Sequence, residues 1–247
     1  MHEIGVCELV WFRAFFVKIK DANTMQFKRS IIQKIGFVFS FFCLLFNGRN
    51  VEAQSFQGKI MLGLNASQID GDGLSGFNKP GILAGIGAAF PLSEKLSLEP
   101  QLLFSQKGSR TSNDQLDKGF PFIIFRLSYV ELPLLVNYKI SESPNLYLQG
   151  GISGNYLLGA RLDNGTNLGF VEVESSFRKL DYCLHFGLEY QLNSQWSFRV
   201  RHTYSARNMN KNWLYVLNNP NANIRSNSYN NSLSFTVNYL LGSAAKK

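Results

Sequence analysis

Three cysteines and three histidines are all that 247 residues supply of the usual soft metal ligands and general bases. So few cysteines cannot form a disulfide framework. Cys7 and Cys43 fall in the first 53 residues, so without that stretch Cys183 stands alone and has no intramolecular partner. Charged residues are sparse as well, at 17%. A long apolar run is missing: the longest, Ile35 to Phe46, holds about twelve residues, short of the ~20 a spanning helix needs. A bundle of transmembrane helices is therefore excluded. With 45% hydrophobic residues, so is a disordered chain. The net charge of +8 invites a nucleic-acid reading, but no basic cluster with interleaved aromatics supports one, and no nucleic-acid partner is expected.

The apolar run has a specific context. Lys28, Arg29 and Lys34 precede it, and Val51-Glu52-Ala53 follows with small or tolerated residues at the positions a signal peptidase reads. This pattern reads as a signal peptide over residues 25–53, cleaved before Gln54; the competing reading is a membrane anchor. Met25 is the better start for it, which leaves residues 1–24 as a disordered upstream extension. Residues 1–53 carry seven of the 25 Lys+Arg and four of the 17 Asp+Glu, so residues 54–247 have 18 and 13, a net +5.

What fills residues 54–247 is alternation. In eight runs, apolar side chains recur at every second position: roughly 58–67, 81–90, 95–105, 126–140, 145–158, 179–191, 195–204 and 230–241. One face of each run is apolar and the other polar, which is strand periodicity. The links alternate too. Leu92-Ser93-Glu94, Ser141 to Pro144 and Asn193-Ser194 are short; 68–80, 106–125, 159–178 and 205–229 are long and rich in Asn, Asp, Ser and Gly. Short periplasmic turns, long external loops and aromatics at strand ends are the pattern of bacterial outer-membrane barrels. The expected fold is all-β, an eight-stranded antiparallel up-and-down transmembrane β-barrel with both termini in the periplasm. A soluble barrel with the apolar face inside is the competitor.

A resemblance adds to this. Ser128-Tyr129-Val130-Glu131-Leu132-Pro133-Leu134-Leu135-Val136 resembles the Y-x-E-x-P-L-L signature of the PorT-like outer-membrane β-barrel domain of Bacteroidetes. Gly81, Gly85 and Gly87, the stretch Leu98 to Gly108, Gly150 to Gly154 and Gly187 to Tyr190 are similar to its other strands. The resemblance covers residues 55 to 241. It implies an integral outer-membrane protein, and in one family member a part in protein secretion.

On the polar strand face, Glu99, Glu131, Asp181, Glu189, Arg199 and Arg201 form the expected lumen charge network, with Lys139 and His185 on the same face. An eight-stranded barrel is just wide enough inside for side chains, and charges there must pair. Glu189 is expected near Arg199 across the turn at Asn193-Ser194, and Glu131 is expected to accept from Arg199 or Arg201. Pro133 and Pro100 lack a ladder donor, so a bulge or local break is expected near Pro133. Cys183 and His185 lie two apart on one strand face, about 7 Å by strand rise, too far for nucleophile activation. Asp70 and Asp72 sit in a Gly-rich turn that lacks the remaining ligands of a calcium loop. No catalytic residue, metal or cofactor is expected. The last long loop offers Arg207, Lys211, Trp213, Tyr215, Arg225 and Tyr229 as a binding surface for another envelope protein or a glycan, beside the outer-membrane lipid itself. A narrow porin-like channel and a secretion component are the alternatives, and a rim hydrolase is a more distant one.

Overall fold

Eight long strands follow one another around a closed ring. In the computed structural model, which describes residues 56–210 and 227–241, they are β1 (Gln57–Asp70), β2 (Lys79–Pro91), β3 (Leu96–Arg110), β4 (Ile124–Glu142), β5 (Asn145–Asp163), β7 (Leu180–Gln191), β8 (Trp196–Ser205) and β9 (Tyr229–Leu241). A two-residue strand, β6 (Val171–Glu172), pairs only with the end of β5. Every long strand is antiparallel to its chain neighbours, and β9 pairs with β1 to close the barrel. The expected divisions at 1–24 and 25–53 lie outside the described residues.

The links divide the barrel into two ends. At the turn end, Leu92 and Ser93 donate their N–H groups to Leu96 O, and Leu192 and Asn193 donate theirs to Trp196 O, closing tight hairpins. At the loop end, β3 leads through α1 (Asn113–Asp117), started by a reciprocal Ser112–Gln115 capping box.

Burial inverts the usual order. Leu62, Leu64, Leu132, Ile152 and Phe186 point outward and are about 60% exposed, whereas Glu99, Glu189 and Arg199 point inward and are all but sealed. A soluble barrel would bury the first set and hydrate the second. An apolar belt on the outside is stable only in lipid, where each backbone polar group must be paired, and a closed barrel leaves no edge unpaired.

Several strands overrun their expected lengths, chiefly at the loop end. β3 continues to Arg110 rather than 105, and β5 to Asp163 rather than 158; β4 begins at Ile124. Nineteen residues at about 3.3 Å each, tilted about 40°, rise nearly 50 Å, far more than an apolar belt of about 25 Å. The excess rises above the hydrocarbon belt, through headgroup depth into water, as a crown, and there the polarity of the faces reverses. On β4 the outward residues are Val130, Leu132, Leu134 and Val136 within the belt, but Arg126 and Ser128 above it. The inward residues within the belt include the polar Glu131 and Asn137, with Pro133 and Leu135 between them, whereas Phe125, Leu127 and Tyr129 above it are all apolar or aromatic. The β4–β5 register shifts between Ser128 and Tyr129, so a bulge marks the level of the reversal.

The prolines behave differently from a bulge. β3 and β4 pair as far as Pro100↔Leu134 and again from Leu103↔Glu131 with unchanged register, so the ladder is merely interrupted opposite Pro133. Likewise β2 and β3 pair at Gly87↔Gln101 and again at Phe90↔Leu98, skipping Pro100. Each proline omits one N–H and leaves the register intact. Gly108 does bear strain: its φ is +144°, and a Cβ there would lie 2.0 Å from Phe125 O.

Candidate functional site

Two levels of buried charge lie inside the belt. Nearer the turn end, four side chains from four strands form a closed cycle. Lys59 Nζ lies 2.8 Å from Glu99 Oε2 and 2.9 Å from Glu189 Oε1; Arg199 Nη2 lies 2.7 Å from Glu99 Oε1 and 2.5 Å from Glu189 Oε2. Glu189 and Arg199 are direct register partners on β7 and β8. Neutral donors complete the carboxylates: Asn137 to Glu99 at 2.9 Å, Gln149 to Glu189 at 2.7 Å and Ser197 to Glu189 at 2.6 Å. Two buried anions with two cations and several further donors satisfy the condition under which buried ion pairs persist.

The second level is built otherwise than expected. Glu131 pairs not with an arginine but with Lys107, at 2.6 Å. The reason is register: Glu131 stands opposite Leu103 on β3, from which Lys107 reaches down, whereas Arg199 and Arg201 are held on β8 by the lower cycle and by Gln101. Among the described residues Asp181 has no ion pair; its Oδ2 accepts from Ser205 Oγ at 2.7 Å and Asn230 Nδ2 at 3.0 Å. Arg201 Nη1 donates to Gln101 Oε1 at 2.9 Å and meets no carboxylate within 4 Å among the described residues. Of the six sequence-derived network residues, Glu99, Glu189 and Arg199 thus meet in one cluster, while Glu131, Asp181 and Arg201 do not join it. Lys59 and Lys107 were missed as lumen charges. Lys59 stands in phase with the inward face of β1, which was a legible signal; Lys107 lay beyond the expected end of its strand.

Above these levels an apolar plug fills the crown. Ile69, Ile123, Phe125, Leu127, Tyr129, Leu157, Ala160, Phe177 and Met209 pack as one buried cluster across the loop end. At the turn end, by contrast, a cavity of about 310 Å³ opens and reaches as far as Lys59 and Glu189.

The remaining chemistry is quiet. Cys183 and His185 do not bond to each other: the thiol contacts Asn155, and the imidazole bridges Ser153 Oγ at 2.7 Å and Thr203 Oγ1 at 3.0 Å. A Ser–His contact of this length resembles a nucleophile and its base, but a threonine rather than a carboxylate sits on the second ring nitrogen, and the pair is buried in the lumen. On the outer face, level with Phe186, His202 bonds Asn231 Oδ1 at 2.8 Å. Asp72 accepts from Ser109 Oγ and from the Leu74 N–H, and burial pushes its carboxyl up to about 6. Among the described residues no group of three or more His, Cys, Asp or Glu could hold a metal.

The last loop also needs a correction. Tyr229 belongs to β9, stacked on Tyr204 with centroids 6.0 Å apart, and not to a free loop. Arg207 is exposed just past β8. Lys211, Trp213, Tyr215 and Arg225 lie outside the described residues.

An apolar outer face, aromatic pairs at both ends of the belt (Trp196 with Tyr239, Tyr204 with Tyr229) and a charge-paired lumen define an integral membrane β-barrel of the bacterial outer-membrane type. A family model described as "Outer membrane protein beta-barrel domain" matches residues 46–211, and the chain belongs to that family. Among solved structures it is similar to the attachment invasion locus protein Ail of Yersinia pestis, at 12% identity over 75% of this chain and 98% of that one, with a TM-score of 0.46. Neisserial surface protein A is similar at 13% identity over 74% and 94%, with a TM-score of 0.43. OprG from Pseudomonas aeruginosa is similar at 12% identity over 76% and 96%, with a TM-score of 0.34. No curated protein is found to match.

Proposed function

We propose that this protein is a filled outer-membrane scaffold that binds its partners at the loop end and conducts no ions. The observation that carries the reading is the stacking of two obstacles on one axis: the Lys59–Glu99–Arg199–Glu189 cycle below and the apolar plug above. A solute entering the turn-end cavity would have to separate buried ion pairs and then cross a dry, packed cluster. In this reading the loop end faces outward and both termini face the periplasm. Exposed Arg207, with Lys211, Trp213, Tyr215 and Arg225 of the same loop, is the binding surface for a glycan or another envelope protein. In the same reading residues 25–53 act as the signal peptide, and the resemblance at Tyr129 to Leu135 supports a PorT-like barrel.

Conductance tests it. Refolded wild-type barrel in a planar lipid bilayer is expected to give no steps, and a variant with the plug thinned, Phe125→Ala with Phe177→Ala, is expected to stay closed because the ion-pair cycle remains. Regular ohmic steps from the wild type would overturn the reading.

A further inference from the structure

The crown carries its positive charge on one side of its outer wall. Arg126 of β4 stands directly opposite Arg161 of β5 in the antiparallel register, and Arg110 of β3 stands opposite Ile124, one two-residue step above Arg126. Arg126 and Arg161 point outward, and Arg110 is exposed. Like charges directly opposite each other destabilise a sheet. Lys79, at the start of β2, lies near enough to Arg110 and Arg126 to be repelled by both.

Acidic side chains do little to relieve this. Among the described residues no carboxylate lies within 4 Å of Arg110, Arg126 or Lys79. Arg161 meets Glu172 at 3.5 Å, with both side chains more than half exposed. The Arg126 guanidinium instead rests 4.3 Å above the ring of Phe170, which leaves its hydrogen-bonding edge free for another partner. Beside Arg110 runs a polar groove of about 350 Å³, lined by Asn78, Thr111, Ser112 and Asn113.

Height along the strand identifies the kind of partner. On β5, Leu158 is exposed as part of the apolar belt, and Arg161 follows three residues later, about 8 Å higher for a tilted strand. On β4, Val130 ends the belt, and the small Ser128 separates it from Arg126. Long cationic side chains just above an apolar belt lie at headgroup depth, where they meet lipid phosphate. Guanidinium groups side by side match the oxygens of a phosphate monoester, which can take bidentate bonds from each.

We propose that Arg110, Arg126 and Arg161 form a binding site for the phosphate monoester headgroup of a lipid in the loop-end leaflet. The anion sits between the two facing arginines and removes the repulsion that the register imposes, while the acyl chains lie along Leu158, Tyr156 and Val130. The site rests on the barrel spanning the membrane, but not on which end faces outward or on whether the lumen conducts.

The test uses the chain expressed from Met25 and refolded into phosphatidylcholine vesicles containing about one part in five phosphatidic acid. Detergent extraction followed by native mass spectrometry counts the lipid retained. Wild type is expected to keep phosphatidic acid at about three-fold its share of the vesicle, and R126Q with R161Q to fall back to that share. K95Q, at the turn end, is the control and keeps the preference. If the glutamine variant does not fold, as judged by heat-modifiable migration, R126K with R161K replaces it and is expected to lose more than half of the preference. Inorganic phosphate in the extraction buffer separates the two sources of the anion: a lipid site keeps its phosphatidic acid at millimolar phosphate, whereas complete displacement means a soluble-anion site and overturns the lipid assignment. Equal retention by wild type and the double variant, or equal loss in K95Q, overturns the site altogether.

Discussion

Belt and crown are made from the same strands, yet they obey opposite rules. In the belt, β4 turns Leu132, Leu134 and Val136 to lipid and Glu131 and Asn137 to the lumen. A few residues further on, it turns Arg126 and Ser128 outward and Phe125 and Leu127 inward. The solvent on the outside decides. Where lipid surrounds the wall, the polar groups must be satisfied within; where water surrounds it, the apolar groups gain by meeting inside. One molecule therefore has two interiors, an ionic one held by paired charge and a dry one held by packing.

The comparison breaks most severely if one partner is removed from the ionic interior. Glu189→Ala leaves Lys59 and Arg199 buried against Glu99 alone, and is expected to lower unfolding stability by about 3–5 kcal/mol. Urea titration of the barrel refolded in vesicles checks this, and a loss below about 1 kcal/mol would mean that water, not protein, satisfies these charges.

A charge moved along one face sharpens the boundary. Leu134→Arg places a cation on the lipid face within the belt and is expected to cost about 2–4 kcal/mol, whereas Ser128→Arg, six residues away on the same face, is expected to cost at most about 1 kcal/mol. Equal costs in the same titration would put both residues in one solvent and erase the proposed boundary at Ser128/Tyr129.

The smallest effect concerns the crown's solvent edge. Asp72 has its carboxyl raised from 3.8 to about 6 by burial. A raised folded pKa means that the neutral form is the better tolerated one, so its contribution to stability is full below about 4 and is lost as pH rises through about 6. Unfolding stability of the vesicle-refolded barrel, followed by urea titration, is expected to rise modestly between pH 7 and pH 5. Asp72→Asn should abolish that dependence. An Asp72-dependent loss of stability on acidification would show the assigned direction to be wrong.

Much of the belt could be read from the chain alone, because lipid outside and a narrow lumen inside permit only one phase for each strand. Leu180, Tyr182, Leu184, Phe186 and Leu188 alternate with Asp181, Cys183, His185 and Glu189, and no other pairing buries the second set. The crown was hidden for the same reason. At Tyr129-Val130 two apolar residues fall side by side, and with the change of phase the outward reading of β4 stopped making sense below residue 126. The residues before it then looked like loop. β3 gave the same misleading cue beyond Ser105, which removed Lys107 from consideration and left Glu131 to be matched with the wrong cation. Tyr229 suffered similarly, assigned to a loop although it opens β9.

By itself, then, the sequence determined the strand count, the closed antiparallel order, the lipid-facing surface and the need for charge pairing in the lumen. Each follows from local alternation and from the cost of leaving a polar group unpaired in hydrocarbon. Only the tertiary structure decided which charges pair, where the faces exchange roles and that three arginines share one wall. Partner choice in a barrel depends on register between strands far apart in the chain, as Lys59 with Glu189 and Glu99 with Arg199 illustrate. Alternation fixes which face a side chain takes, but not the height at which it meets the side chain across the lumen.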